Sequence, residues 1–126
     1  MDLLLDTHAF LWWDSASTEL GAAAAAAIAD PGNRVFVSAA CVWEIAIKRR
    51  LGRLAFAGSA AAAIEANGFT SLPIGASDGE RVETLPPIHQ DPFDRIMIAQ
   101  CLEHGLVLVT ADDRIGQYGL PLIRAR

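Results

Sequence analysis

Two short, wholly apolar runs near opposite ends of the chain limit its fold more than any other feature. Residues 3–5 (LLL) close on Asp6, and residues 106–109 (LVLV) are followed at once by Thr110, Ala111 and Asp112. A strand that is apolar on both faces belongs in a parallel sheet covered on both sides. The segments between these runs read mainly as helices. A short helix is expected over 8–13, and an alanine-rich one over 18–29 with Ser17 or Thr18 as its cap and Asp30-Pro31-Gly32 as its stop. A strand over 34–37 leads through Ser38 into a helix that runs to about Leu51 and closes at Gly52. Further helices are expected over 59–67 and 76–84, with a short strand over 69–74 between them. Asp91-Pro92 opens a helix in the preferred way, an acidic cap before proline, and His104-Gly105 closes it. A last strand falls near 120–123. Apolar strands alternating with helices predict an α/β fold, and 126 residues suffice for one domain, 1–126, with one core.

Composition narrows the function. A net charge of −5 excludes a basic nucleic-acid coat protein, so any contact with RNA or DNA goes through a local patch or bound metal. The alanine run 22–27 is too short and too weakly hydrophobic to span a bilayer. No secretory signal is legible. Cys41 and Cys101 lie in apolar helical patterns and read as small buried hydrophobes, which points to the cytosol.

The chemistry lies in the acids. Asp6 follows the first strand directly, and Asp112 comes shortly after a late one; ligands of open parallel sheets bind at that carboxyl edge. Either acid could instead cap the helix after it, although Thr7 could cap the first helix as well as Asp6. Glu44 sits in VWEIAI (residues 42–47), apolar on nearly every side. A carboxylate there must be paired, metal-bound or neutralised. An i,i+4 ion pair with Lys48 competes with a metal, and the metal is the favoured reading. Asp94 and Asp91 suit the start of their helix by dipole and cap. Carboxylates about 5 Å apart repel by roughly 3 kcal/mol per pair at an effective dielectric of 20. A cluster of four therefore calls for cations or raised pKa values. Oxygen ligands select hard ions such as magnesium or manganese, and such ions suggest phosphoryl chemistry.

Five segments, in this order and spacing, carry a family resemblance: 3–13 (LLLDTHAFLWW), 37–48 (VSAACVWEIAIK), 51–54 (LGRL), 89–100 (HQDPFDRIMIAQ) and 108–112 (LVTAD). Together they resemble the PIN-domain ribonucleases, in particular the VapC toxins of bacterial toxin–antitoxin pairs. The resemblance implies a PIN-like three-layer α/β/α domain with a short central parallel sheet. It also implies metal-dependent RNA hydrolysis by activated water, with Asp6, Glu44, Asp94 and Asp112 as the catalytic, metal-holding acids and Mg2+ or Mn2+ as cofactor. Thr110 matches a position that shapes the site. Cys41 stands where relatives commonly have serine, a change expected to lie away from the acids. The implied partners are an RNA substrate, a cognate antitoxin and a second copy of the chain. The antitoxin is expected to cover an apolar surface near Phe10, Trp12, Trp13 or Trp43 and to plug the acids with arginine.

Other residues carry weaker signals. His8 and His89 read as hydrogen-bonding neighbours, and His104 as a helix terminator. Lys48, Arg49, Arg50 and Arg53 suit RNA phosphates or a solvated helix end equally. Two other functions fit less well. A receiver-type phosphoacceptor needs a lysine after a late strand, and the one lysine here is Lys48, inside a helix. An inert PIN scaffold would have no need of four intact acids.

Overall fold

A computed structural model describes all residues, Met1–Arg126. Five strands form one sheet: β1 (Asp2–Leu5), β2 (Arg34–Ser38), β3 (Thr70–Leu72), β4 (Val107–Thr110) and β5 (Leu122–Arg124). Their order is β3-β2-β1-β4-β5, and every pairing is parallel. Successive residues of β1 point to opposite faces, so Leu3 and Leu5 enter one core while Leu4 enters the other, all fully buried. The first core packs β1, β2 and β4 against α1 (Thr7–Asp14), α2 (Ala22–Ala29), α3 (Ala39–Arg50) and α4 (Ala60–Ala66) through Phe10, Ile28, Ile45 and Ile64. The second holds Met97 and Ile98 of α6 (Pro92–His104), with Leu108 of β4 and Ile115. α5 (Ala76–Val82) lies against α6. This is the expected three-layer α/β/α arrangement with a short parallel sheet. Both cysteines are buried and unpaired, as expected. No helix is long and apolar enough to cross a membrane.

Chain order fixes where a site can form. From β1 the sheet grows outward through β2 to β3, then resumes on the other side of β1 with β4 and β5. The connections therefore diverge between β1 and β4, and a crevice opens at the carboxyl ends of these two strands. Leu5 is in register with Val109, and the Asp6 amide donates to the Val109 carbonyl at 3.0 Å.

The caps follow local chemistry. Ser38 accepts from the Ala40 amide at the start of α3, and Asp91 accepts from Phe93 and Asp94 at the start of α6. Gly105 ends α6 in the left-handed region, at φ 65°. Gly105→Ala should cost about 1–2 kcal/mol, since a Cβ there meets the neighbouring carbonyl. Urea denaturation with an unchanged m-value is the measurement.

Several boundaries depart from the sequence reading. α2 begins at Ala22 with Gly21 as its cap, not near Ser17. The Ser17 hydroxyl instead holds a turn by accepting from the Glu19 amide, and the Gly21 amide is bonded to Ala125 across the fold. Those contacts take residues 18–20 out of the helix. Asp6, not Thr7, caps α1: its carboxylate accepts from the Ala9 amide at 2.8 Å. A short 3-10 helix (Asp113–Tyr118), capped by Asp112, follows β4 in a segment with no periodic signal. The aromatic surface is smaller than expected. Phe10 is wholly buried and cannot meet a partner. Trp13 is partly buried and donates to the Asn67 side chain at 3.1 Å.

Candidate active site

Asp6 is placed by the end of β1, Asp112 by the end of β4, and Asp94 by the first turn of α6. All three line one cavity of about 370 Å³ at the β1/β4 crevice, together with His8, Trp12, His89, Asp91, Arg114 and Arg126. His89 reaches it from the loop before α6. Its Nε2 lies 2.8 Å from an Asp112 oxygen and 3.2 Å from an Asp94 oxygen. One ligand atom from each of His89, Asp94 and Asp112 falls within 4.8 Å of the others.

The loop carrying His89 is tied down by Arg95, one turn into α6. Its guanidinium donates to the carbonyls of Val82, Leu85, Pro86 and His89, and the Tyr118 hydroxyl accepts from the His89 amide at 2.7 Å. A planar fork with five donors suits this work, which a lysine could not reproduce. His89 is thus the residue that the sequence reading left outside the site. The hydrogen bonds expected of it do form, but with two of the proposed ligands. Arg114 was not singled out either. It donates to both Asp112 carboxylate oxygens, at 3.2 and 3.0 Å.

The acids differ sharply in electrostatics. Burial raises the Asp6 carboxyl above its ordinary range, against the Ala9 amide and the Thr110 hydroxyl, which stabilise its charge. Asp94 is pushed up to about 7, first by burial and then by Asp91, with Asp6 and Glu44 adding and His89 opposing. Asp112 is held at about 2, chiefly by the Arg114 hydrogen bonds and secondarily by His89. The site therefore holds two carboxyls that resist ionisation, Asp6 and Asp94, and one, Asp112, whose charge a cationic neighbour compensates.

Glu44 does not line the cavity. Its buried carboxylate accepts from the Thr7 hydroxyl and pairs with Lys48 at 2.6 Å. The i,i+4 pair thus forms, while Glu44 still acts through space on Asp6 and Asp94. Lys48→Met should destabilise the chain by about 1–3 kcal/mol, because it leaves a buried carboxylate with the Thr7 hydroxyl alone. Thermal melts near neutral pH check this.

Cys41 is not remote from the acids. Burial raises its thiol to about 12, Thr7 opposes the rise, and Glu44 and Asp6 add to it. Thr110 acts on the Asp6 carboxyl and accepts from the Asp112 amide at 3.1 Å. Asp91 is the α6 cap, and Asp113 forms a surface pair with Arg124 at 2.7 Å. His104 ends α6 and pairs with the buried Asp78 at 2.9 Å. The basic cluster is divided: Lys48 serves Glu44, Arg49 donates to the Gly58 carbonyl, and Arg50 and Arg53 face solvent.

A doubly covered parallel sheet with acids converging at its switch point defines an α/β domain suited to a charged ligand. The PIN domain model matches residues 3–120. Ribonuclease VapC22 of Mycobacterium tuberculosis (strain ATCC 25618 / H37Rv) is 30% identical over 122 residues, spanning 94% of this chain and 93% of the relative. The chain belongs to the PIN-domain family and is a VapC-type member of it. Solved structures share the fold. VapBC2 of Rickettsia felis, bound to a promoter DNA fragment, aligns with TM-score 0.68 at 10% identity, covering 98% of each chain. A toxin–antitoxin complex from Klebsiella pneumoniae gives 0.65 at 20% identity, again over 98% of each. Mycobacterium tuberculosis VapC20, a sarcin-ricin loop cleaving toxin, gives 0.61 at 15% identity over 94% of this chain and 95% of the other.

Proposed function

We propose that residues 1–126 form one PIN domain acting in the cytosol as a divalent-metal-dependent endoribonuclease, the toxin of a toxin–antitoxin pair. The observation that carries this reading is the convergence of Asp94, Asp112 and His89 within 4.8 Å, with Asp6 in the same cavity. The donor set fits a hard cation. Burial, and after it the charge of Asp91, pushes Asp94 to about 7, and a cation beside it would favour its ionised form. We assign Asp6, Asp94 and Asp112, which line the cavity, as acids that hold Mg2+ or Mn2+, and Glu44 as a fourth that would reach the ion on leaving its Lys48 pair, with His89 orienting Asp94 and Asp112 as an outer partner. A bound divalent ion supplies Lewis acidity toward a phosphoryl oxygen and a nucleophile from water at neutral pH.

The protein's own groups do the rest. Thr110 and the Ala9 amide fix the Asp6 carboxylate, and Thr7 and Lys48 fix Glu44. Arg114, with 61% of its side chain exposed, brings a cation to the cavity wall where an RNA phosphate would enter. RNA as substrate is supported by the ribonuclease relative, and an antitoxin partner by the toxin–antitoxin complexes that share the fold. Two apolar surfaces suit protein partners. A groove lined by Trp12, Trp13, Ala16, Leu20 and Ala25 joins the acid cavity at Trp12, and we assign it to the antitoxin. Trp43, Ile47 and Leu51 form an exposed stripe along α3, and we assign it to a two-fold dimer.

The test is cleavage of RNA by the purified chain with magnesium and with excess EDTA, alongside expression with and without the neighbouring gene. Metal-dependent cleavage, and toxicity relieved by co-expression, are the expected results. A chain that degrades no RNA under any metal contradicts the nuclease assignment, and harmless expression of an active chain contradicts the toxin role alone.

A further inference from the structure

The acid cavity has lining residues that metal chemistry does not use. His8, Trp12 and Arg126 share its wall with Asp6 and Asp112. His8 and Trp12 are one turn apart on α1, with ring centroids 5.8 Å apart and planes tilted by 37°. The Arg126 guanidinium carbon stands over the Trp12 ring, 5.7 Å from its centroid. Trp12 also packs against the first core, so its indole is firmly seated while part of it remains exposed.

We propose that His8, Trp12 and Arg126 form a nucleobase subsite, in which one unpaired base of single-stranded RNA stacks beside the phosphate that the acids address. The inference rests on the ribonuclease reading above and adds where the RNA is gripped. Charge makes such a grip necessary. The chain carries −5 overall and its basic cluster is divided, so bulk attraction for a polyanion is weak. Stacking on an aromatic face needs no net charge and accepts any base, because every base has a π-face. A guanidinium on the far side of the base adds a cation–π contact. Arg126 is free to take that place: its side chain is 63% exposed, and its ion pair with Glu19 is a loose 3.9 Å. The subsite and the acids share one cavity, so a base on Trp12 sets which phosphate meets Asp6, Asp94 and Asp112.

The experiment compares binding of a short single-stranded RNA of mixed sequence with that of an abasic ribose-phosphate oligomer of equal length. Fluorescence anisotropy is read with calcium in place of magnesium. Trp12→Ala should weaken RNA binding roughly tenfold, as loss of one stacked base does, and leave the abasic oligomer unaffected. Trp12→Phe should retain most of the affinity, and Arg126→Ala should lie between. In cleavage assays Trp12→Ala should raise KM more than it lowers kcat. Melting curves establish that each variant is folded; if Trp12→Ala does not fold, Trp12→Phe and Arg126→Ala carry the comparison. Equal loss on both oligomers, or none on either while the wild type still cleaves RNA, overturns the subsite and spares the nuclease. Loss of antitoxin binding with RNA affinity intact overturns it too, and gives Trp12 to the protein partner. A wild type that neither binds nor cleaves RNA overturns the ribonuclease reading itself.

Discussion

Asp94→Asn should abolish RNA cleavage while making the metal-free protein more stable. Loss of a residue that merely supports a metal ligand costs about 10–100-fold, so loss of a ligand should exceed 100-fold. The stability gain has a separate origin. Asp94 is pushed to about 7 because its charge is buried near Asp91, Asp6 and Glu44. An amide removes that strain without changing shape. About a quarter of the side chain reaches water, so screening reduces the gain to about 1–2 kcal/mol, a few degrees in Tm. Asp112→Asn should be equally inactive with the opposite effect on stability. Its carboxylate is held at about 2 by Arg114 and His89, so its removal takes away favourable contacts, worth about 1 kcal/mol at its partly exposed position. Asp6→Asn and Glu44→Gln should also be inactive. Cleavage assays paired with melting curves in EDTA check the set; wild-type turnover in any variant takes that residue out of the site.

Magnesium or manganese should raise Tm above neutral pH, and the gain should vanish in acid. A ligand bound only by the native state at a hundredfold excess over Kd adds about 2.7 kcal/mol. The sign of the pH effect follows from Asp94. Its native pKa, about 7, lies above the ordinary value of 3.8, so the native state binds more protons than the unfolded chain between these values. Metal-free stability from this group is therefore full below about pH 4 and declines as pH rises toward 7. A cation needs the ionised carboxylate, so its contribution grows over the same rise and peaks above about pH 7. Asp112 works the other way: its pairing stabilises above its ordinary range and is lost only as pH falls toward 2. Tm measured from about pH 2 to pH 8, with metal and with EDTA, reads out both trends. A metal shift that is the same at both ends would exclude Asp94 from the ligands.

What the sequence determined alone is what neighbours along the chain enforce. The uniformly apolar 3–5 and 106–109 segments could be satisfied only between two layers, which set a covered parallel sheet. Ser38 before α3, and Asp91-Pro92 before α6, act within one helical turn and were legible for that reason. The five segments in order carried the family and put acids at Asp6, Asp94 and Asp112, which do share a cavity. Tertiary structure decided the rest. His89 joins Asp112 across 23 residues, because Arg95 gathers the carbonyls of its loop. No local pattern encodes where a loop without periodicity comes to lie. The choice of Asp6 over Thr7 as the α1 cap followed from Glu44, which claims the Thr7 hydroxyl from 37 residues away. Likewise Gly21 starts α2 because Ala125, at the far end of the chain, accepts its amide hydrogen. Apolar periodicity and caps are properties of a few consecutive residues. Which carboxylate resists ionisation, which is paired with arginine and which lies outside the cavity lining depend on burial and distance, and those exist only once the sheet has brought remote segments together.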